Sequence, residues 1–245
     1  FKKKNFFSNY SGDNHQLFSN EKNIPLVGGI FLIIPILFIS YQNIFYNLMI
    51  LSIFTLGFLS DQKILASAKK RFLFQIILIF FSVVFLDLKI LSSRILYFDT
   101  LLEIFAFNIF FTSFCLLILI NGSNFIDGLN GLLLIYMTTV IYILLELNLN
   151  SLIEINEPYI LFLIIALILV IILNFTNTLM LGDAGAYVLS FFVGYLVIKC
   201  HNSNPNISPY FFITLLWYPC FENLFSIIRK LINNSSPLKP DNSHL

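Results

Sequence analysis

Eight apolar runs, separated by short polar breaks, dominate the sequence. They cover approximately residues 24–40, 44–59, 72–86, 101–120, 132–147, 158–173, 186–199 and 209–228. Backbone groups in lipid have no water to bond, so a membrane-crossing run must satisfy them internally, and a helix does so within one segment. The expected fold is all-α: a polytopic transmembrane helical bundle of about eight membrane helices. Several runs fall short of the ~20 residues that span a bilayer, which draws their polar flanks close to its surface. Pro219 should kink the last run. The mixed segment 87–100 reads as a short surface hairpin or an interfacial piece.

Composition agrees. Of the 245 residues, 58% are hydrophobic and 11% charged, with mean hydropathy +0.87, whereas soluble domains hold roughly half apolar and a quarter charged residues. The lipid bilayer is therefore the first partner. A net charge of +1, with no basic cluster bearing interleaved aromatics, excludes nucleic acid as another. The 29 Phe read as packing and lipid-facing bulk. Cys115, Cys200 and Cys220 are scattered, with neither disulfide nor metal spacing, and read as inert packing residues. Residues 1–245 form one integral-membrane domain, which we expect to be truncated at both ends.

Eight runs alternate sides. The N-terminal segment, the 60–71 loop, the 121–131 island, the 174–185 loop and the tail then share one face. That face holds 11 of the 14 Lys and Arg, against Lys89, Arg94 and Lys199 on the other. The positive-inside rule makes it cytoplasmic. Asp61, Asp127 and Asp183, each at the end of a run, converge there.

The island Asn121–Leu132 (NGSNFIDGLNGL) carries Asn121, Asn124, Asp127 and Asn130 among three glycines. A helix starting near Asp127 would put Asp127 and Asn130 on one face of its first turn. The plain alternative is a capped loop between two membrane helices. A second island, LGDAGAY (Leu181–Tyr187), places Asp183 between Gly182 and Gly185. Free amides at a helix start there would favour a phosphate.

Three carboxylates near one surface repel unless something positive sits among them. Mg²⁺ is the hard cation that accompanies one or two carboxylates and substrate phosphates, and Mn²⁺ is an alternative. Asn121, Asn124, Asn130, Asn174 and Asn177 supply amides suited to a base or sugar. The basic loop 63–71 offers countercharge, although Lys69, Lys70 and Arg71 read most simply as charges anchoring the inside. Lys22 and His15 either line a solvated loop or contact substrate phosphate. Glu222, inside an apolar run, is a functional candidate. Glu103, Glu146, Glu154, Glu157, Asp87, Asp99 and His201 read as ordinary outer-side residues. Neither a P-loop nor HExxH is present.

Several motifs in order resemble one family: PLVGG (Pro25–Gly29), GFLSD (Gly57–Asp61), NFIDGLNGL (Asn124–Leu132) and LGDAGA (Leu181–Ala186). A tail pattern adds Pro219 with Glu222, Ser236-Pro237, and Asp241 with His244. The chain resembles the polyprenyl-phosphate N-acetylhexosamine-1-phosphate transferases, the WecA/MraY-like group of glycosyltransferase family 4. That resemblance implies transfer of a sugar-1-phosphate from a UDP-sugar, such as UDP-N-acetylhexosamine, to a polyprenyl phosphate such as undecaprenyl phosphate. UMP would leave, and an O-antigen, other lipopolysaccharide or cell-wall polymer would be started. A homodimer is among the expected assemblies.

The resemblance also assigns roles. Asp183 would be the metal ligand on the diphosphate, with Asn121 as a second. Asp61 would activate the lipid phosphate or hold the site's charge, and Asp127 would join the acidic cluster. Asn121, Asn124, Asn130, Asn174, His244 and Lys22 would bind substrate. It implies a missing helix before Phe1 and a missing remainder of the histidine motif after Leu245. Ser60, Asn130, Ala186 and Glu222 depart from the family's usual Asp, Asp, Ser and Asp. A transporter with intramembrane carboxylates and a non-catalytic relative are the competing readings.

Overall fold

Every one of the eight apolar runs is helical in the computed structural model, which describes residues 24–39, 42–127, 131–147 and 157–232. Ten helices follow one another among these residues. They are α1 (Gly28–Ile39), α2 (Ile44–Asp61), α3 (Ala68–Phe85), α4 (Leu96–Leu102), α5 (Phe105–Ile126), α6 (Leu132–Glu146), α7 (Glu157–Phe175), α8 (Gly182–Ser203), α9 (Pro209–Leu215) and α10 (Trp217–Ile232). The all-α expectation holds. The segment 87–100 is not a hairpin: it is an irregular stretch leading into the short helix α4.

Among the described residues the expected count of about eight spans is not confirmed. By length and composition α2, α5 and α8 can cross a membrane, and α9 with α10 gives a fourth if the bent pair is one span. The helical parts of α1 and α6 are shorter, with 12 and 15 residues. α3 has the length but opens on Lys69, Lys70 and Arg71.

The eighth run breaks between α9 and α10, which meet at 66°. Pro219 has no N–H to give Leu215 O, its natural partner one helical turn back. The Tyr136 hydroxyl donates to Leu215 O instead, at 2.6 Å. Beyond the bend, α10 is amphipathic in an inverted sense. Glu222, Asn223, Ser226 and Lys230 are buried, while Phe221, Leu224, Phe225 and Ile228 are exposed. The polar stripe packs on α5, where Lys230 Nζ stands 5.1 Å from the centre of the Phe125 ring. Gly122 permits the approach, because a Cβ there would lie 1.9 Å from Pro219 O.

α8 is the centre. Of its spanning window 89% is buried, against 39% for α2 and 44% for α5. A helix that is apolar or small all round belongs inside a bundle, and α8 packs against α1, α2, α5, α6 and α9. Its neighbours carry large apolar side chains on their outer faces, suited to lipid: Phe31, Ile34, Ile44, Phe45, Leu48, Phe110 and Ile135 are all exposed.

The far end of α8 is tied down by polar contacts. His201 Nε2 pairs with Ser92 O at 2.8 Å, and Asn202 donates to Lys89 O at 2.6 Å. Arg94 donates to the carbonyls of Pro205, Asn206 and Ile207. Asp99 accepts from the Ser93 and Arg94 backbone N–H groups and from the Ser92 and Ser93 hydroxyls. Those bonds, the Ser93 side chain first, hold its carboxyl below the usual range. Asp99 and His201 thus organise this end, where the sequence suggested ordinary solvated residues.

Candidate active site

At the other end of α8, two helix termini meet. α2 ends at Asp61 and α8 begins at Gly182. The first N–H groups of a helix lack intrahelical partners, and Asp61 supplies them from 122 residues away. Its Oδ1 accepts from the Asp183 N–H at 2.8 Å, and its Oδ2 from the Ala184 N–H at 3.0 Å. Such charge-assisted bonds also meet the positive end of the helix dipole.

Two glycines make the approach possible. Gly182 has φ +76°, and a Cβ there would stand 2.8 Å from Asp61 Oδ2. Gly57, one turn before Asp61, lies so close that a Cβ would be 2.4 Å from Ala184 Cα. The amides flanking Asp183 are therefore occupied by Asp61, which corrects the expectation that they stand free for a phosphate.

The side chain of Asp183 is held by the residue beside Asp61. Ser60 Oγ donates to Asp183 Oδ2 at 2.5 Å. Arg71 Nη1 donates to Ser60 Oγ at 2.6 Å and to Asp183 Oδ2 at 3.0 Å. The Tyr187 hydroxyl approaches the same oxygen at 3.5 Å. Arg71 and Asp183 are both partly exposed, at 31% and 23%, so the ion pair adds about 1 kcal/mol or less to stability. Its importance is positional. Arg71 is thus part of the site, where the sequence pointed to an anchoring charge. The signal that could have found it is its place in the first turn of α3, just after the loop that follows Asp61.

The N-terminal PLVGG segment clasps the same loop. Met180 N–H donates to Pro25 O at 3.0 Å, Gly28 N–H to Met180 O at 3.0 Å, and Gly29 N–H to Leu181 O at 3.2 Å. Leu26 and Met180 form an isolated parallel bridge. A Cβ on Gly29 would come within 2.6 Å of Gly185 N. Two motifs far apart in sequence are one structural unit.

The first island divides differently from the expectation. α5 continues through Asn121 and Asn124 to Ile126, and Asp127 is its C-cap, with its N–H donating to Ser123 O. The next helix starts at Leu132, after Gly131 at φ +76°. Asp127 therefore closes a helix and does not open one, because Gly131 supplies the left-handed turn that starts α6. Burial, then the charges of Asp183 and Asp61, push the Asp127 carboxyl well above its ordinary range. The three carboxylates stand at the ends of α2, α5 and α8, with α8 packed against both of the others.

The amides are less tightly drawn in. Asn121 Nδ2 donates to Leu117 O at 2.8 Å, a bond within its own helix. Among the described residues no hydrogen bond links it to Asp183. Asn124 is half-buried on the same last turns. Asn174 is buried and donates to Leu179 O at 3.3 Å, while its Oδ1 accepts no hydrogen bond among the described residues. Lys22, Asn130 and His244 lie outside the described residues, as do His15, Ser236, Pro237 and Asp241.

Among the described residues no three His, Cys, Asp or Glu side chains form a metal-holding group. Mg²⁺ does not require one, since it is commonly bound by one or two carboxylates and completed by water and substrate phosphate. Asp183 and the neighbouring Asp127 offer hard oxygens of that kind, and their mutual repulsion is what a divalent cation would relieve. The donor set fits an open, substrate-completed site.

Residues 43–201 match Glycosyl transferase family 4, a stretch that contains Asp61, Arg71, Asp127 and Asp183. The chain belongs to glycosyl transferase family 4. A curated relative from Thermotoga maritima, undecaprenyl-phosphate alpha-N-acetylglucosaminyl 1-phosphate transferase, is 25% identical over 228 residues. The match covers 92% of this chain and 68% of that protein. In this family 4 member, then, the site described above lies where α2, α3, α5 and α8 end or begin, at one end of an apolar bundle.

Proposed function

We propose that the protein transfers a sugar-1-phosphate, of the N-acetylhexosamine class, from a UDP-sugar to a polyprenyl phosphate such as undecaprenyl phosphate. The observation that carries this reading is the Asp61–Asp183–Arg71 junction, in a chain of glycosyl transferase family 4. It gathers acidic oxygens and one guanidinium where apolar helices end. A water-soluble diphosphate and a lipid-borne phosphate can meet only at such a place. The surplus of Lys and Arg supports a cytoplasmic location for it, and the product would start a surface polysaccharide or wall polymer.

In the reaction, an oxygen of the lipid phosphate attacks the sugar-bearing phosphorus of the UDP-sugar. A new P–O bond forms, the bond from that phosphorus to the bridging oxygen breaks, and UMP leaves with the electron pair. A phosphate monoester loses its second proton near pH 6, so the attacking group is dianionic at neutral pH. Positioning and charge neutralisation carry such a transfer.

Mg²⁺, held by Asp183 with Asp127 nearby, would neutralise charge on the diphosphate. Arg71 would contribute a fixed positive group beside it. Asp61 would keep the backbone of Asp183 in place. Asn121 and Asn124 lie on the last turns of α5 and Asn174 on the last turn of α7, and these amides would face the nucleotide.

A transporter would place its carboxylates on broken helices near the bilayer midplane. Asp61 is instead the last residue of α2, and Asp183 the second of α8.

Membranes containing the full-length protein, given polyprenyl phosphate and a panel of UDP-sugars with and without Mg²⁺, test the proposal by chromatography of released UMP. We expect release that needs lipid, metal and Asp183, and an Asp183→Asn variant that is inactive. Absence of UMP from folded wild-type protein with every sugar would refute it and favour a non-catalytic relative.

A further inference from the structure

The Ser60–Arg71–Asp183 cluster carries more than a structural role. Resting on the reading that Asp183 binds the divalent cation, we propose that Arg71 is that cation's resident competitor. Its guanidinium would hold Asp183 until metal and substrate arrive, and would then stay on Ser60 facing the substrate phosphates.

The geometry is specific. One nitrogen, Arg71 Nη1, bridges Ser60 Oγ at 2.6 Å and Asp183 Oδ2 at 3.0 Å. The same carboxylate oxygen also receives the Ser60 hydroxyl and the Tyr187 hydroxyl. Asp183 Oδ2 is thus surrounded by donors. A cation entering at this oxygen must displace the guanidinium.

Ser60 makes displacement cheap in distance. A hydroxyl both donates and accepts, so Ser60 retains Arg71 when Asp183 turns to the metal. A guanidinium has five N–H donors in a planar fork. Freed of Asp183, the fork can engage phosphate oxygens in pairs. A carboxylate at position 60 would instead repel Asp183 and pair with Arg71 permanently. The site's countercharge is therefore movable because residue 60 is neutral.

Four helices surround the pair, the fourth being α5, which packs on α3 and α8 and is capped by Asp127. α2 contributes Ser60 and Asp61, α8 contributes Asp183 and Tyr187, and α3 contributes Arg71 itself. Asp61 is engaged by the Asp183 and Ala184 amides and makes no hydrogen bond to the guanidinium among the described residues.

Direct metal binding tests the idea. Mn²⁺ alone, followed by electron paramagnetic resonance, is titrated into detergent-solubilised full-length protein: wild type, Arg71→Gln, Arg71→Lys, and Asp183→Asn in wild-type and Arg71→Gln backgrounds. Melting curves without metal confirm folding. We expect Arg71→Gln to bind Mn²⁺ about tenfold more tightly than wild type, a shift of about 1.4 kcal/mol. Arg71→Lys should lie between them, and Asp183→Asn should abolish binding in both backgrounds. In UMP-release assays, Arg71→Gln should raise KM for the UDP-sugar despite tighter metal binding.

Equal or weaker Mn²⁺ binding by folded Arg71→Gln, with the Asp183 dependence intact, overturns the competition and leaves the metal site standing. Binding that ignores Asp183, or no binding in any variant, overturns the metal assignment and the competition with it.

Discussion

The backbone contact between Gly57 and Ala184 should set both the stability of the bundle and the alignment of the site. A Cβ at position 57 would lie 2.4 Å from Ala184 Cα, 2.6 Å from Ala184 N and 2.8 Å from the Asp183 carbonyl carbon. All three neighbours are backbone, so no rotamer change relieves them. Ordinary contact begins near 3.4 Å, so Gly57→Ala must part α2 from α8 by roughly 1 Å. That movement carries the Asp61–Asp183 and Asp61–Ala184 bonds, at 2.8 and 3.0 Å, past hydrogen-bond range. Overpacking costs about 1–3 kcal/mol, and loss of charge-assisted bonds adds to it, giving roughly 3 kcal/mol and a fall of roughly 6–12 °C in Tm. A shift of about 1 Å in a reacting group can also cost roughly a hundredfold in rate.

Gly194→Ala, on α8, is the control. There a Cβ meets Leu116 Cδ2 at 2.5 Å and Leu119 Cδ2 at 3.1 Å, both flexible side-chain ends. A cost of about 1 kcal/mol and a nearly normal rate are expected. Thermal melting in detergent and UMP release on the same preparations read both effects. A Gly57→Ala protein that melts and turns over like Gly194→Ala would refute the claim that α2 and α8 are locked backbone to backbone.

Asp61→Ala should lower Tm by an amount corresponding to about 2–3 kcal/mol with no substrate or metal present, because two helix-start amides lose their acceptor; an unchanged melt would show that Asp61 does not act as a cap. Asp127 gives a pH dependence. Its native carboxyl titrates above its unfolded value near 3.9, so metal-free stability should fall as pH rises from about 4 toward the native value. Asp127→Asn should flatten that slope and melt higher than wild type at neutral pH in chelator, as differential scanning fluorimetry across pH would report. Asn108 is buried and serves four groups: Ile90 N–H and Ile90 O, Leu102 O and the Thr112 hydroxyl. Asn108→Ala should cost about 2–3 kcal/mol, leaving KM for the UDP-sugar unchanged, since it sits at the end of α5 opposite Asp127.

The helices were legible because each apolar run reports its own secondary structure. Asp61 and Asp183 were legible too, because polar residues at run ends must gather at a bundle's ends. Hydropathy is silent on what a side chain bonds to. Asp61 was read as activating the lipid phosphate or holding the site's charge, and its carboxylate accepts from two backbone amides of α8. Arg71 was read as an anchor, and it reaches Asp183, 112 residues onward. α5 was expected to stop before Asp127, since NGSN reads as loop. Those residues remain helical where α10 packs on Gly122 and Ser123 is buried, a tertiary effect that overrides local propensity. Asn108 drew no notice, because one amide in an apolar run looks like an interruption until its four partners are known.

The PLVGG clasp bears on the order in which the protein can be made. Gly28 and Gly29 find their acceptors on Met180 and Leu181, about 150 residues further along the chain. At roughly 5–20 residues per second, a ribosome needs about 8–30 s to cover that interval. Throughout it α1 can enter the membrane, but its first turn waits for a partner that does not yet exist. The junction that carries Asp183 is therefore among the last parts of the bundle to close. A nascent chain released before α8 has emerged would own most of its helices and no assembled site.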